Sequence, residues 1–556
     1  MNHPFVRNLL VKQVPWNQRF LQRYTSCFEL HRCSIDKFHH QIRCKSDKPT
    51  LSSLVVPIEV KVTSNPDDIN LGAEITGGKL KKSEIVTIIN EILLREHFKL
   101  LAQENGIDHT LFQQCFQSFR TFCSNSKVLP TELHIKLYDI LHGNGNVDDL
   151  FPDFLKHAKQ VFPHLECLEE LKKISDLTSP VNWYPEARNL NRKIIFHGGP
   201  TNSGKTYHAL KRFYAAESGV YCAPLKLLAV EVTNKANAAG TKCDLVTGEE
   251  RFFANEDGTP ASHVSCTVEM ACTSTPREVA VIDEIQMIKD PQRGWAWTRA
   301  LLGIPAKEIH LCGEEASLDI IKEILSAIPE EVEVNAYKRL TPLEIENTPL
   351  GSLSNVKKGD CIVCFSKKDI FNISLQLEKL GHDIAVIYGS LPPGTKVAQT
   401  KKFNDPNDPC NILVATDAIG MGLNLSINRI IFSSLKKPIN SEKGGPEIEV
   451  IPTSTALQIA GRAGRFNTEY STGYVTCFNQ ADLTLLKDLI TRPVEPIGAA
   501  GLHPTMEQIE LFAYHLPKAT FSNLFDIFLS ICRMDTSCYF MCNVDNIKYL
   551  ADLIQH

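Results

Sequence analysis

Between His197 and Thr206 the chain reads HGGPTNSGKT, so that Gly199, Pro200, Thr201, Asn202, Ser203, Gly204, Lys205 and Thr206 fit the spacing G-x-x-x-x-G-K-[ST]. Such a loop turns backbone N–H groups toward a phosphate, sets the Lys205 ammonium against β/γ-phosphates and offers the Thr206 hydroxyl to Mg2+, with Mn2+ as an alternative. Downstream, Asp283 and Glu284 follow the apolar run Val279 to Ile282 within VAVIDEIQ. Asp283 suits Mg2+ held through water, and Glu284 suits a base that orients or deprotonates an attacking water. A carboxylate base there points to hydrolysis rather than transfer to a substrate hydroxyl. Farther along, QIAGRAGR supplies Gln458, Gly461, Arg462, Gly464 and Arg465. Read as helix, this spacing puts Arg462 and Arg465 on one face, where guanidinium groups would meet the charge that develops on a γ-phosphoryl group.

These groups need rigid supports, and the surrounding pattern supplies them. KIIFH before the phosphate loop reads as a strand and YHALKRFYAA after it as a helix. Short β-rich runs alternate with helical stretches from RKIIFHG to EVEVNAY, and again from CIVCFS to GYVTCF. That alternation predicts an α/β fold of two tandem parallel-sheet lobes, with ligands at the carboxyl ends of the strands. The expected division is a helical domain over 49–185, a nucleotide-binding lobe over 186–345, a second lobe over 346–505 and the start of another helical region over 506–556. With the phosphate loop in one lobe and the arginines in the other, the active site is complete only when the lobes close. Kinases and simple GTPase switches lack such a second lobe, whereas a motor on a nucleic acid needs it.

Composition bounds the rest. The net charge of -5 gives no global attraction to a polyanion, so any nucleic-acid site must be a local groove. No apolar run reaches the roughly 18 residues of a membrane span. The 18 cysteines are spread through strand-like and helix-like segments, which reads as reduced core thiols. In DCIVCFS, Cys361 and Cys364 point to opposite faces of a strand and could not share a metal. From Met1 to Phe28 there is no Asp or Glu, while Arg7, Lys12, Arg19 and Arg23 are spaced among apolar residues. This is the composition of a mitochondrial transit peptide over about 1–48, or of a disordered basic tail.

The motifs resemble superfamily-two helicases and, more closely, the mitochondrial suppressor-of-var-three-like family of ATP-dependent RNA helicases. The matching stretches include GPTNSGKT, APLKLLA, DLVTGEE, SCTVEM, VIDEIQMI, YKRLTP, CIVCFSKKDI, YGSLPPGTK, NILVATDAIGMGLNLSI, LQIAGRAGRF and AGLHPTMEQIELFAYHLP, and they cover nearly everything from about residue 50 onward. The resemblance implies two RecA-like lobes and an enzyme of the mitochondrial matrix. It implies use of ATP to unwind double-stranded RNA with 3′→5′ polarity, in RNA degradation beside a polynucleotide phosphorylase-type exoribonuclease. Nucleoid association and a minor nuclear pool are further implications.

By position in the motifs, Pro224, Lys226, Thr247, Gly248 and Thr267 would line an RNA track in the first lobe, and Phe365, Ser366 and Thr416 in the second. Asp417 and Gly420 would link RNA and nucleotide sites and join Gln458 in the nucleotide set, while Gln286 would help couple the lobes. Glu315 stands where the family has proline, and the adenine-reading glutamine of DEAD-box enzymes has no counterpart. The resemblance also implies a larger C-terminal helical domain than the stretch ending at Gln555-His556. Two other functions fit parts of the pattern: a non-catalytic RNA-binding scaffold for a nuclease, and a DNA translocase, since phosphate contacts scarcely distinguish the sugars.

Overall fold

Apolar runs with no polar alternation can be satisfied only when both faces of a sheet are covered, which is the condition of a parallel sheet between helices. The computed structural model describes residues 70–126, 128–440, 446–466 and 469–555, with Leu54 and Pro57; the basic leader expected at 1–48 lies outside the described residues. The first sheet has β1 (Lys193–Gly198), β2 (Gly219–Ala223), β3 (Cys243–Val246), β4 (Arg251–Phe252), β5 (His263–Thr267), β6 (Arg277–Ile282), β7 (Ala306–Gly313) and β8 (Val332–Ala336). Their spatial order is β4-β3-β5-β2-β6-β7-β1-β8. All neighbours are parallel except the short β4 against β3.

The second sheet repeats the plan with β9 (Leu343–Ile345), β10 (Asp360–Val363), β11 (Ile384–Ile387), β12 (Ile412–Ala415), β13 (Arg429–Phe432) and, after a hairpin, β16 (Gly473–Cys477). The hairpin is β14 (Lys436–Asn440) against β15 (Pro446–Val450). The all-parallel order is β9-β16-β13-β10-β12-β11. Cys361 and Val363 lie in a core on one side of this sheet, with Phe432, Ile459 and Leu486, whereas Ile362 and Cys364 lie in a core on the other, with Ile370 and Leu377. The alternation along β10 thus separates the two thiols, as expected for a strand.

By contact, the described residues fall into two units. One takes Pro180–Leu502 with Thr536–Cys542 and holds both sheets; it also holds a small parallel pair, β17 (Ala500–Leu502) and β18 (Tyr539–Met541). The other takes the described residues within Lys45–Ser179, His503–Asp535 and Asn543–His556. Its core is aromatic: Phe98 stands edge-on to Phe112, Phe151 and Phe154, and Phe119 edge-on to Phe154. Edge-on geometry matches the positive rim of one ring to the negative face of the next. The helices Met506–His515 and Phe521–Ile531 pack with Leu168–Ile174 in this same unit. No helix among the described residues is long and apolar enough to cross a membrane.

Candidate nucleotide site and nucleic-acid face

β1 delivers the phosphate loop. It ends at Gly198, and the helix Lys205–Ala215 begins after Gly204, whose φ of 82° is left-handed. Backbone N–H groups at the start of a helix have no partner in the helix itself, which suits them to an anion. Lys205 is buried, and its Nζ donates to Gly199 O at 3.1 Å and Pro200 O at 3.2 Å. The buried Ser203 Oγ has no hydrogen-bond partner among the described residues. A hydroxyl left over inside such a loop fits a phosphate oxygen.

β6 delivers the acids. Asp283 is buried; its Oδ1 accepts from Thr206 Oγ1 at 3.1 Å and its Oδ2 from the Tyr221 hydroxyl at 2.9 Å. Burial, and next the neighbouring Glu284, hold the Asp283 carboxyl above the usual carboxylate range. The Thr206 hydroxyl and Asp283 carboxylate are hard oxygen donors set side by side, the donor set that Mg2+ prefers. A cation there would favour the ionised acid and reverse that upward shift. Glu284 sits at φ 52°, ψ 50°, and its Oε2 accepts from Gln286 Nε2 at 2.5 Å. Among the described residues, Asn202 and Glu284 are the two non-glycine residues with positive φ, and both are in this site. Such conformers cost free energy and gather where function requires them. Gln286 Oε1 also accepts from Glu314 N at 3.2 Å, so the residue expected to couple the lobes bonds within the first one.

The arginine stretch corrects one expectation. The helix Thr453–Ala460 stops before Arg462, which therefore does not share a helical face with Arg465. Between the two arginines Gly464 adopts φ 63°, and a Cβ there would overlap the backbone of Gly473. Left-handed backbone turns the chain, so a loop beyond the helix presents both arginines. Arg462 Nε donates to Gly420 O at 3.0 Å, and a second N–H of the same guanidinium reaches the same oxygen. A Cβ on Gly420 would stand 3.6 Å from Gln458 Oε1, which puts Gln458 beside it. Burial lowers the pKa of both Arg462 and Arg465. Asp417 pairs instead with Lys437, Oδ2 to Nζ at 2.6 Å.

The phosphate loop and the arginine loop touch directly. Asn202 Nδ2 donates to Gly464 O and to Thr341 Oγ1, both at 2.7 Å. Gly461 packs so closely on Thr201 that a Cβ would come within 2.7 Å of the Thr201 Cβ. Between them lies Arg339, from the segment joining the two sheets. It donates to Thr201 O at 3.1 Å, to Gly461 O at 2.7 Å, to Gly464 O at 3.3 Å and to Ala463 O. Two residues earlier, the Tyr337 hydroxyl meets His197 Nδ1 at 2.9 Å, and His197 Nε2 meets His310 Nδ1 at 2.9 Å. The motif YKRLTP contains Tyr337, Arg339 and Thr341, but motif matching alone gives these three residues no role. The usable signal was a lone arginine between two lobes that must exchange contacts.

The expected RNA residues sit at or just beyond the carboxyl ends of their strands: Pro224 after β2, Thr247 and Gly248 after β3, Thr267 at the end of β5, Phe365 and Ser366 after β10, and Thr416 after β12. Several polar groups there are already engaged locally. Ser366 Oγ caps a helix by accepting from Asp369 N at 3.1 Å, Thr416 Oγ1 accepts from Ala418 N at 3.2 Å, and the buried Thr247 hydroxyl accepts from Glu250 N at 3.0 Å. Lys226 pairs with Glu249 at 3.0 Å and Glu250 at 3.2 Å. Nothing stands where a Cβ on Gly248 would be, which leaves its backbone open.

A phosphate loop with paired acids on one parallel sheet, meeting an arginine loop from a second parallel sheet, defines a nucleoside triphosphatase of the two-lobed helicase class. Family models agree along the chain: the DEXQ-box helicase domain of Suv3 matches residues 180–337, the Suv3 helical N-terminal domain 53–171 and the helicase conserved C-terminal domain 345–467. The chain is 58% identical over 512 residues to the Drosophila melanogaster protein named ATP-dependent RNA helicase SUV3 homolog, mitochondrial, covering 92% of this chain and 67% of that one. It is 59% identical over 505 residues to the Homo sapiens protein named ATP-dependent RNA helicase SUPV3L1, mitochondrial, covering 91% of this chain and 64% of that one. Among solved structures, the Escherichia coli DEAH/RHA helicase HrpB aligns with a TM-score of 0.41 at 14% identity, over 64% of this chain and 46% of that one. This chain belongs to the Suv3 helicase family, and its paired helicase domains make it an ATP-hydrolysing enzyme.

Proposed function

We propose that this chain hydrolyses ATP to move 3′→5′ along RNA and unwind duplexes, in the mitochondrial matrix and in step with an exoribonuclease that consumes the freed strand. The observation that carries the reading is the direct seating of the phosphate loop, through Thr201 and Asn202, on the arginine loop through Gly461 and Gly464. Relatives bearing mitochondrial RNA helicase names support the substrate and the compartment. The chain spans 67% of the fly relative and 64% of the human one.

In this reading the phosphate loop amides, Lys205 and Ser203 hold the ATP phosphates, and Thr206 with Asp283 holds Mg2+. The metal, when bound, would neutralise charge on the phosphates during cleavage. Glu284 aligns and deprotonates water, its carboxylate oriented by Gln286. Arg462 and Arg465 approach from the second lobe and stabilise the transferring phosphoryl, while Gln458, Asp417 and Gly420 form the second-lobe rim of the nucleotide site. RNA is gripped through its phosphates by Pro224, Lys226, Thr247, Gly248, Thr267, Phe365, Ser366 and Thr416. Contacts of that kind hold a strand without reading bases, as a motor requires.

The test is an unwinding assay on matched RNA and DNA duplexes bearing either a 3′ or a 5′ overhang, with RNA-stimulated ATP hydrolysis followed in parallel. Preference for RNA with a 3′ overhang is expected, together with loss of both activities in Lys205→Ala and Arg465→Ala. Equal unwinding of all four duplexes would defeat the RNA and polarity assignments. Full ATPase activity in either variant would defeat the two-lobe mechanism.

A further inference from the structure

One guanidinium stands where the two halves of the site meet, and neither the phosphate-loop motif nor the arginine motif contains it. Among the described residues Arg339 is partly buried and bonds to backbone carbonyls: Thr201 O in the phosphate loop, Gly461 O, Ala463 O and Gly464 O in the arginine loop, and Thr341 O in its own segment at 2.8 Å. Each carbonyl carries partial negative charge, and several converging on one point repel one another unless a donor sits between them. The planar fork of arginine, with five N–H donors and a charge held at neutral pH, is the side chain that can satisfy such a cluster. Burial lowers its pKa to about 10, which leaves it charged at neutral pH.

The anchorage on either side gives this contact its direction. Upstream, Tyr337 N donates to Gly198 O at 2.7 Å, and Leu340 N donates to Asn202 O at 3.0 Å, so the segment runs along the phosphate loop as a backbone-bonded strap. Downstream, Thr341 Oγ1 donates to Gly464 O at 2.9 Å, and Gly473 N donates to Pro342 O at 2.9 Å, carrying the strap into the second sheet. The strap is thus bonded to both loops at once, with Arg339 at its middle. Any shift of Thr201 as the loop admits a phosphate changes the acceptor set of the same guanidinium that holds Gly461, Ala463 and Gly464.

We propose that Arg339 is a positioning residue that latches the arginine loop to the phosphate loop, so that occupancy of the phosphate loop sets where Arg462 and Arg465 stand. This deepens the two-lobe reading above and rests on it for its catalytic consequence. Arg339 itself does not touch the reacting atoms. Its contribution is to order a loop that has left the helix and has no regular secondary structure of its own. A lysine there carries the charge but cannot bridge so many carbonyls in one plane.

The experiment uses Arg339→Gln, Arg339→Lys and Thr341→Val in the full chain, with two readouts. The first is the interlobe distance distribution without nucleotide, by single-molecule fluorescence transfer between labels at the exposed positions 242 and 379. The second is steady-state ATP hydrolysis at saturating RNA. The latch predicts a broadened distance distribution in Arg339→Gln and a kcat lowered about tenfold or more, the scale of losing charge-assisted bonds, with KM for ATP within about threefold. Arg339→Lys should fall between, and Thr341→Val should shift the distances in the same direction by less. Wild-type distances and kcat in Arg339→Gln would overturn the proposal, as would a change confined to KM. If Arg339→Gln fails to fold, unchanged distances in Arg339→Lys and Thr341→Val overturn it instead. Should the wild-type chain show no ATP hydrolysis, the functional reading fails while the distance arm still decides the latch.

Discussion

At the scale of single residues, the site separates holding from cleaving. Asp283 is fixed by Thr206 and Tyr221, whereas Glu284 projects from left-handed backbone and is oriented by Gln286. Replacing the base should therefore leave binding intact: Glu284→Gln should keep fluorescent-nucleotide affinity while lowering the RNA-stimulated hydrolysis rate by about 10²–10⁴-fold, the usual worth of a general base. Nucleotide titration beside phosphate release checks both halves, and a parallel loss of affinity would show that Glu284 also holds the nucleotide. This acid pair was legible in the sequence because an apolar strand ending in two carboxylates is a pattern of residue types. The Arg339 contact was not, because its acceptors are main-chain carbonyls, which every residue possesses and no side chain announces.

At the scale of elements, both sheets could be read from apolar runs, but their margins could not. Cys243–Val246 and Leu343–Ile345 are short and interrupted by Asp244 and Glu344, so pairing with neighbours, not pattern, makes them strands: β3 is buried between β4 and β5, while β9 is a half-exposed edge strand held by β16. The arginine stretch reads as helix in sequence, but the helix ends at Ala460 and the left-handed φ of Gly464, packed against Gly473, is a tertiary feature that residue types do not announce.

The second sheet is tied at its amino edge by a buried ion cluster. Arg429 at the start of β13 bonds Asp360 at the start of β10 through Nε at 3.0 Å and a terminal nitrogen at 2.6 Å, with Glu346 at 3.0 Å on its other side. Removing one partner strands a buried charge, so Asp360→Ala should cost about 3–5 kcal/mol. Urea denaturation should show an earlier transition in the unit that holds the sheets, with the helical unit unaffected in hydrogen exchange. A loss under about 1 kcal/mol would mean that Glu346 alone satisfies Arg429.

At the scale of the whole molecule, both units carry histidines buried in uncharged form. Burial lowers the pKa of His157 and His164 in the helical unit, and of His197 beneath the phosphate loop, to about 4 from an ordinary 6.5. The unfolded chain therefore binds more protons than the native one between these values. Stability from the neutral rings is present in full above about pH 6.5 and is lost as pH falls toward 4. Denaturant midpoints should decline through this window, and hydrogen exchange should quicken in peptides of both units; a flat profile from pH 7 to 4.5 would contradict it. The crowding at Gly464 reaches beyond the folded chain to heredity. Every first- or second-position base change in a glycine codon that still encodes an amino acid adds a Cβ, so every missense allele at this position must displace the backbone of Gly473 or the loop that carries Arg462 and Arg465.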